Sequence, residues 1–306
     1  MAIVYNDREQ IWKLDTENTS YVLGVVDGKY LSHIYYGKKI RSNELSYLLR
    51  PDEIVPPSIR PAEQLGFMDA IQLEYPCGGI GDFRECCISV KSDAGQIGCD
   101  LSYKEYEIVK GKAKIAGLPT CFGDNAETLI VRLEDEIYGL VVSLSFTVFD
   151  DCDAVIRSAI IENRGSKILC IERALSSCLD FEMRDCEVIT QCGAWAREHI
   201  IERTALNHAA VIAESTRGEE GHDSMPFMAV VSKNTDRKSG EVYASQLIYS
   251  GNFMAKVKKN AHDQIRMVIG INPETFSWKL EPGDSFQTPE AALVYSSCGL
   301  GEMTRD

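Results

Sequence analysis

The sequence is short of most features that would assign it quickly. No run of 18 or more apolar residues occurs in the 306-residue chain, so no segment reads as a membrane-spanning helix. The opening Met1-Ala2-Ile3-Val4-Tyr5-Asn6-Asp7 carries no basic stretch followed by an apolar one, and no secretory leader is read there. Positive charge is scarce: 32 Lys and Arg stand against 46 Asp and Glu, a net charge of −14. Such a chain repels phosphate backbones, which excludes nucleic acid as the expected partner. The short basic clusters, Lys38-Lys39 with Arg41 and Lys256 with Lys258-Lys259, read as solvated turns or edge strands.

Metal and nucleophile signatures are missing as well. There are 11 Cys, an odd number, but no Cys-x-x-Cys, and the five His include no His-x-x-x-His. Neither a Gly-x-Ser-x-Gly elbow nor a phosphate-binding loop is present. Gly78-Gly79-x-Gly81 is followed by Asp82-Phe83-Arg84 rather than a helix, so it reads as a backbone turn. No metal site and no cofactor is expected. With no leader and unpaired cysteines, the expected compartment is the cytoplasm, with reduced thiols.

What is present is strand grammar. Val142, Leu144, Phe146 and Val148 alternate with smaller or polar residues between Gly139 and Asp150, the period of a half-buried antiparallel strand. Ala154–Glu162 and Lys167–Leu175 flank Asn163-Arg164-Gly165-Ser166, which predicts a hairpin and a three-strand meander. Tyr21–Val26 and Lys29–Tyr36 about Asp27-Gly28 predict a second hairpin, and Cys86–Lys91 with Gln96–Tyr103 a third. Further strands are predicted over Ala209–Ser215, Pro226–Ser232, Glu241–Ser250, Asn252–Lys258, Gln264–Ile271, Thr275–Leu280 and Pro289–Ser296. No amphipathic helix of 12 or more residues is visible, which excludes regular βαβ alternation. Leu45–Gln72 differs: Pro51, Pro56, Pro57 and Pro61 make it a long irregular loop, the kind that is usually functional or disordered. No composition shift divides the chain, so one all-β domain over residues 1–306 is expected.

Candidate site residues are few. Trp195 lies in Gly193-Ala194-Trp195-Ala196-Arg197-Glu198. An indole beside a guanidinium and a carboxylate suits a sugar, whose apolar face stacks on the ring while its hydroxyls meet the charges. A core Trp beside an exposed ion pair reads equally well. Trp278, on an alternating run, reads as core. His222, in the polar loop Arg217–Asp223, reads as a loop histidine, or as half of the His/Glu pair a mutarotase-like enzyme needs.

An ordered set of motifs then resembles one family, the bacterial family 36 α-galactosidases. The set runs through Asn18-Thr19-Ser20-Tyr21, His33-Ile34-Tyr35-Tyr36-Gly37, Glu74-Tyr75-Pro76 and Gly81-Asp82-Phe83-Arg84-Glu85. It continues with Gly117-Leu118-Pro119, Glu127-Thr128-Leu129, Asp153-Ala154-Val155-Ile156-Arg157-Ser158 and the Trp195 motif. It closes with Tyr249-Ser250-Gly251-Asn252-Phe253, Gly270-Ile271-Asn272-Pro273 and Thr288-Pro289-Glu290. Met225 departs from the family, which usually carries Asn before Pro226-Phe227.

The resemblance implies a β-supersandwich similar to galactose mutarotase, at the N-terminus of a retaining glycosidase. In the family a (β/α)₈ barrel follows this region and holds both catalytic aspartates, so no residue of this chain is expected to be catalytic. Implied partners are an α-galactoside sugar, the barrel of the same enzyme, and further copies of the chain, a tetramer in full-length members. Family tetramers reach a neighbour's active site from this domain, which makes Asp52 and Arg60 of the Pro-rich stretch, together with Trp195, the expected substrate-binding residues. A free-standing carbohydrate-binding module and a mutarotase-like epimerase are the alternatives.

Overall fold

The computed structural model describes residues 2–49, 68, 71–260 and 263–305. Strands are numbered here in chain order. Three antiparallel sheets carry the described chain. The first is a meander of β1 (Ile3–Asn6), β2 (Ile11–Asp15), β3 (Thr19–Val26) and β4 (Tyr30–Lys38). The β3–β4 turn is the predicted one: Asp27 and Gly28 both take positive φ, 54° and 63°, as a tight hairpin turn requires.

The second sheet is long. Its order is β12 (Arg197–Ala205), β11 (Cys186–Ala194), β14 (Ser224–Ser232), β15 (Val242–Ile248), β20 (Glu290–Ser296), β9 (Ala154–Asn163), β8 (Leu140–Phe149), β7 (Ala126–Asp135), β6 (Ser102–Lys110). Short β19 (Ser285–Gln287) also pairs with β9. The third sheet orders β13 (Val211–Glu214), β16 (Phe253–Lys259), β17 (Gln264–Ile271), β10 (Leu169–Glu182) and β18 (Trp278–Leu280), with β5 (Ile88–Ser92) also on β10.

Period two decides which face packs where. Val230 points into the main apolar cluster, which draws on all three sheets, from Ile3 and Leu23 through Leu144 and Phe146 to Val268 and Tyr295. Ala229 and Val231 point to the opposite face of the long sheet, with Ile156, Ile189 and Val294. There the four-residue helix Leu300–Met303 covers them, contributing Leu300 and Met303.

Five expectations need correction. The three-strand meander exists, but its members are β7, β8 and β9. Asn163–Ser166 is a corner, not a hairpin: β9 belongs to the long sheet and β10 to the third. Two turns touch there, since a Cβ on Gly165 would lie 2.2 Å from the Tyr138 carbonyl oxygen, so only glycine fits. The Cys86–Tyr103 hairpin forms its turn, with Gly95 N donating to Ser92 O at 2.9 Å, but only Lys91 and Ile97 pair beyond it. The chain then leaves for the long sheet as β6. Trp278 is 47% exposed on a three-residue edge strand, its ring centroid 5.3 Å from that of Phe286. Lys256 lies on β16, flanked by β13 and β17, and pairs with Glu85 rather than water.

Candidate functional site

The irregular segment from Ile71 to Cys87 is tied to all three sheets by buried polar and charged groups. Glu74 is fully buried. Its carboxylate receives Tyr21 Oη at 2.7 and 2.8 Å, meets Arg157 Nη1 at 2.8 Å and lies 2.9 Å from His33 Nδ1. Burial alone would raise its pKa, but Arg157, His33 and Tyr21 together hold it below the usual carboxylate range. Arg157 also lies 4.1 Å over the Phe146 ring, and the downward push of burial is outweighed by Tyr21 and Glu74, which raise its pKa.

A second cluster sits beside the first. Arg266 on β17 forks onto Asp180 of β10, both contacts 2.7 Å, and reaches Asp82 at 2.9 Å. Arg84 binds Asp82 through Nε at 2.9 Å and donates Nη2 to the Ile71 and Met68 carbonyls at 2.6 and 3.2 Å. Glu85 pairs with Arg173 and Lys256. Asp180 and Glu85 both titrate lower than usual, because these cations overcome the upward push of burial. Arg84 thereby holds the backbone carbonyls of Met68 and Ile71.

Asp52 and Arg60 themselves lie outside the described residues. Trp195 does not, and it is placed at the tip of the β11–β12 hairpin, where Ala194 faces Arg197. It is 82% exposed, which decides against the core reading. The bend is tight: Ala196 takes φ 61°, and a Cβ on Gly193 would lie 2.6 Å from the Arg197 carbonyl oxygen and 3.1 Å from that of His222. The tip therefore rests on the Gly221–Ser224 turn. Glu198 accepts from Ala196 N at 2.9 Å, and backbone N–H groups of Glu198 itself and Ala196 lower its pKa, with His222 a smaller influence. Asp223 pairs with Arg217 and lies 3.6 Å from His222 Nε2. The hairpin tip that carries the exposed indole and the turn it rests on thus also carry two carboxylates, an imidazole and a guanidinium, with the hydrogen-bonding range sugar hydroxyls need.

At this tip the His222 ion pair is with Asp223. The His–Glu ion pair among the described residues is His33–Glu74, and both members are buried in the core. No group of three or more metal-ligating side chains occurs among the described residues. The buried ionic clusters are what the residue reading missed. Seven of their members stand in the very motifs that carried the resemblance: Tyr21, His33, Glu74, Asp82, Arg84, Glu85 and Arg157. Other motif residues are joints too. Asp153 accepts from the Asn18 backbone and side-chain amides at 2.8 Å each. Asn272 caps the 3-10 turn Pro273–Thr275, and Glu290 binds Lys112 and the Cys121 amide.

Comparison with known proteins gives a consistent result. Residues 29–281 match the model of the glycosyl hydrolase family 36 N-terminal domain. The alpha-galactosidase AgaA of Geobacillus stearothermophilus is 38% identical over 309 aligned residues, covering 100% of this chain and 42% of that protein. The bifunctional alpha-galactosidase/sucrose kinase AgaSK of Mediterraneibacter gnavus is 35% identical, with 100% of this chain and 33% of that protein covered. The crystal structure of alpha-galactosidase AgaB from Geobacillus stearothermophilus superposes with a TM-score of 0.94 at 40% identity, covering 100% of this chain and 42% of AgaB. The chain thus spans about two fifths or less of the relatives it matches.

Proposed function

This chain belongs to the glycosyl hydrolase family 36 N-terminal domains, and we propose that it serves as the non-catalytic N-terminal domain of an α-galactosidase. The observation that carries this reading is coverage: the whole chain aligns with 42% of AgaA, leaving the larger part of that enzyme unmatched. A catalytic barrel supplies the chemistry, in which one carboxylate attacks the anomeric carbon and a second serves as acid and then base. This domain contributes assembly and part of the substrate rim.

The rim residues we assign are Trp195, Asp52 and Arg60. Trp195 stacks on an apolar sugar face, and Glu198, Asp223 and Arg217 beside it take hydroxyls. The ligand is an α-galactoside; AgaA variants have been crystallised with raffinose and with stachyose, which fits an elongated rim. The working form is a homo-oligomer, a tetramer when full-length. The compartment is the cytoplasm, in keeping with eleven free thiols.

A domain exchange tests the proposal. This chain replaces the matching part of AgaA, and hydrolysis of an aryl α-galactoside is followed. The chimaera is expected to turn over, and the isolated 306-residue chain is not. Turnover by the isolated chain that disappears on mutating one of its own residues overturns the reading. So does a folded chimaera without activity.

A further inference from the structure

Two sheet edges meet on one side of the sandwich. Among the described residues β1 pairs only with β2, and β6 only with β7. Glu127 on β7 accepts from Ala2 N and Ile3 N at 2.7 and 3.0 Å, which ties the start of the first sheet to the end of the long one. Tyr106 pairs with Val131 and Ile108 with Leu129, both fully buried, so Tyr106 and Ile108 stand on the core face of β6. The core is open there: Tyr106 is 36% exposed and Ile108 38%.

A run of rings fills the seam. Trp12 on β2 is fully buried, stacks on Tyr5 of β1 with centroids 4.9 Å apart, and meets Tyr106 edge-on at 5.1 Å and Tyr103 at 5.7 Å. Tyr5 and Tyr106 lie 4.5 Å apart. Tyr5 and Tyr103 are half-buried. Two polar features set this seam apart from an ordinary core. Trp12 Nε1 is buried without an acceptor among the described residues, whereas nearly all buried donors are paired. The hydroxyls of Tyr5, Tyr103 and Tyr106 bond to no other described residue. Burial, then Asp7 and Tyr106, raise the Tyr5 pKa; burial, then Tyr5, Tyr106 and Glu105, push Tyr103 up to about 12. Both phenols therefore stay protonated at neutral pH and can donate as well as accept.

These groups select a ligand class. An exposed ring face beside free hydroxyls matches a pyranose, whose C–H face stacks while its own hydroxyls exchange hydrogen bonds with the phenols. The carboxylates of Asp7 and Glu105, close enough to act on the phenols, disfavour an anion. The rings touch one another, with centroids 4.5 to 5.7 Å apart, so no aromatic cage opens between them for an ammonium group.

We propose that the β1–β6 seam binds a neutral oligosaccharide, with Tyr106 as the outer stacking face and the phenol hydroxyls of Tyr5 and Tyr103 as hydrogen-bonding partners. The site is separate from the Trp195 hairpin, because β6 and β12 are the opposite ends of the long sheet. It does not rest on the rim assigned above. One exposed ring face with a few hydroxyls supports weak binding, with a Kd of about 1 mM.

Trp12 reports on the site directly. The chain has three Trp, so Trp195→Phe with Trp278→Phe leaves Trp12 as the sole indole. Stachyose is titrated into this 306-residue double variant while Trp12 emission and calorimetric heat are followed. A saturable change in emission is expected, and sorbitol, which has hydroxyls but no ring face, produces none. Tyr106→Leu fills the seam without a ring and weakens binding by about tenfold or more. Tyr106→Phe keeps the ring, gives up the hydroxyl and weakens it by about fivefold or less. Circular dichroism confirms that each variant is folded, and the contrast of stachyose with sorbitol needs no variant of Tyr106. A Trp12 emission that never responds to stachyose overturns the proposal. So does equal binding by Tyr106→Leu and its parent, or a response to tetramethylammonium and not to stachyose, which marks a cation site instead. Heat of stachyose binding that is silent at Trp12 and unchanged by Tyr106→Leu overturns the seam and leaves the rim reading standing.

Discussion

Two regions of this chain invert the ordinary partition of residues, in opposite directions. Beneath the sandwich, carboxylates and guanidinium groups are buried: Glu74, Arg157, Asp82, Asp180 and Arg266 are each no more than 6% exposed. On the β11–β12 hairpin, large apolar side chains are in water: Trp195, Ile200 and Ile201. The first inversion is compensated inside the molecule, since each buried charge has a partner with good geometry. The second has no internal compensation. A buried charge with its partners in place needs nothing further, whereas an exposed indole at a tight turn points to something outside the chain. The buried ionic base and the exposed hairpin are thereby separated in space.

The most severe test of this contrast removes one cation from the buried side. Arg266→Ala removes the buried guanidinium that forks onto Asp180 and reaches Asp82, leaving Arg84 as their remaining cation. Breaking a buried pair costs about 3–5 kcal/mol, because the surviving charge stays desolvated. The expected result is a large fall in the urea midpoint at unchanged slope. A loss below about 1 kcal/mol would mean that water reaches the cluster and that the two regions differ less than their burial indicates.

Acid titration is the gentler form of the same test. Glu74, Asp180 and Glu85 have lower pKa values folded than unfolded. Groups of that kind contribute stability that is fully present above the unfolded carboxylate value, near pH 4, and is lost as pH falls through the folded values. Unfolding free energy should therefore drop steeply below about pH 4 and be flat with respect to these groups above it. Glu74→Gln should flatten the acid limb as well as lower the plateau. An unchanged acid slope in that variant would remove Glu74 from the cluster's account.

Much of the framework was legible in the residues, and the exceptions have physical causes. Period two located β8, where Val142, Leu144, Phe146 and Val148 alternate with smaller or polar residues, and β-rich runs between turn residues located β9, β14 to β17 and β20. β2 escaped because Ile11, Trp12, Lys13 and Leu14 are all buried, so no face contrasts with the other. β12 escaped for the reverse reason, being exposed throughout. β7 was readable: Leu129, Val131 and Leu133 alternate and all three are buried. The Asn163–Ser166 corner misled because Asn and Gly license a reversal without saying which sheet the chain rejoins. At the candidate site, sequence supplied Trp195 and its chemistry but not its exposure, which depends on a hairpin whose second strand has no pattern. The buried charges looked like surface charges, because burial of an acid is decided by cations distant in the chain: Glu74 and Arg157 are 83 positions apart.

The smallest effect on stability belongs to the exposed side, and it is the one that sharpens the contrast. Trp195 makes no core contact, so Trp195→Ala should change unfolding free energy by no more than about 0.5 kcal/mol. In the AgaA chimaera the same change should raise KM for raffinose while leaving kcat close to its starting value, because stacking on a remote sugar face binds ground and transition states alike. Trp195→Phe should recover part of the loss, since a smaller ring keeps a stacking face but gives up the indole's area. If Ala and Phe behave alike, the ring is not a stacking platform. If Trp195→Ala lowers kcat and leaves KM unchanged, the hairpin tip acts on the reacting end of the sugar instead of the rim. If it lowers stability by several kcal/mol, the tip is supported from within, and the separation of a buried ionic base from an outward-facing arm no longer holds.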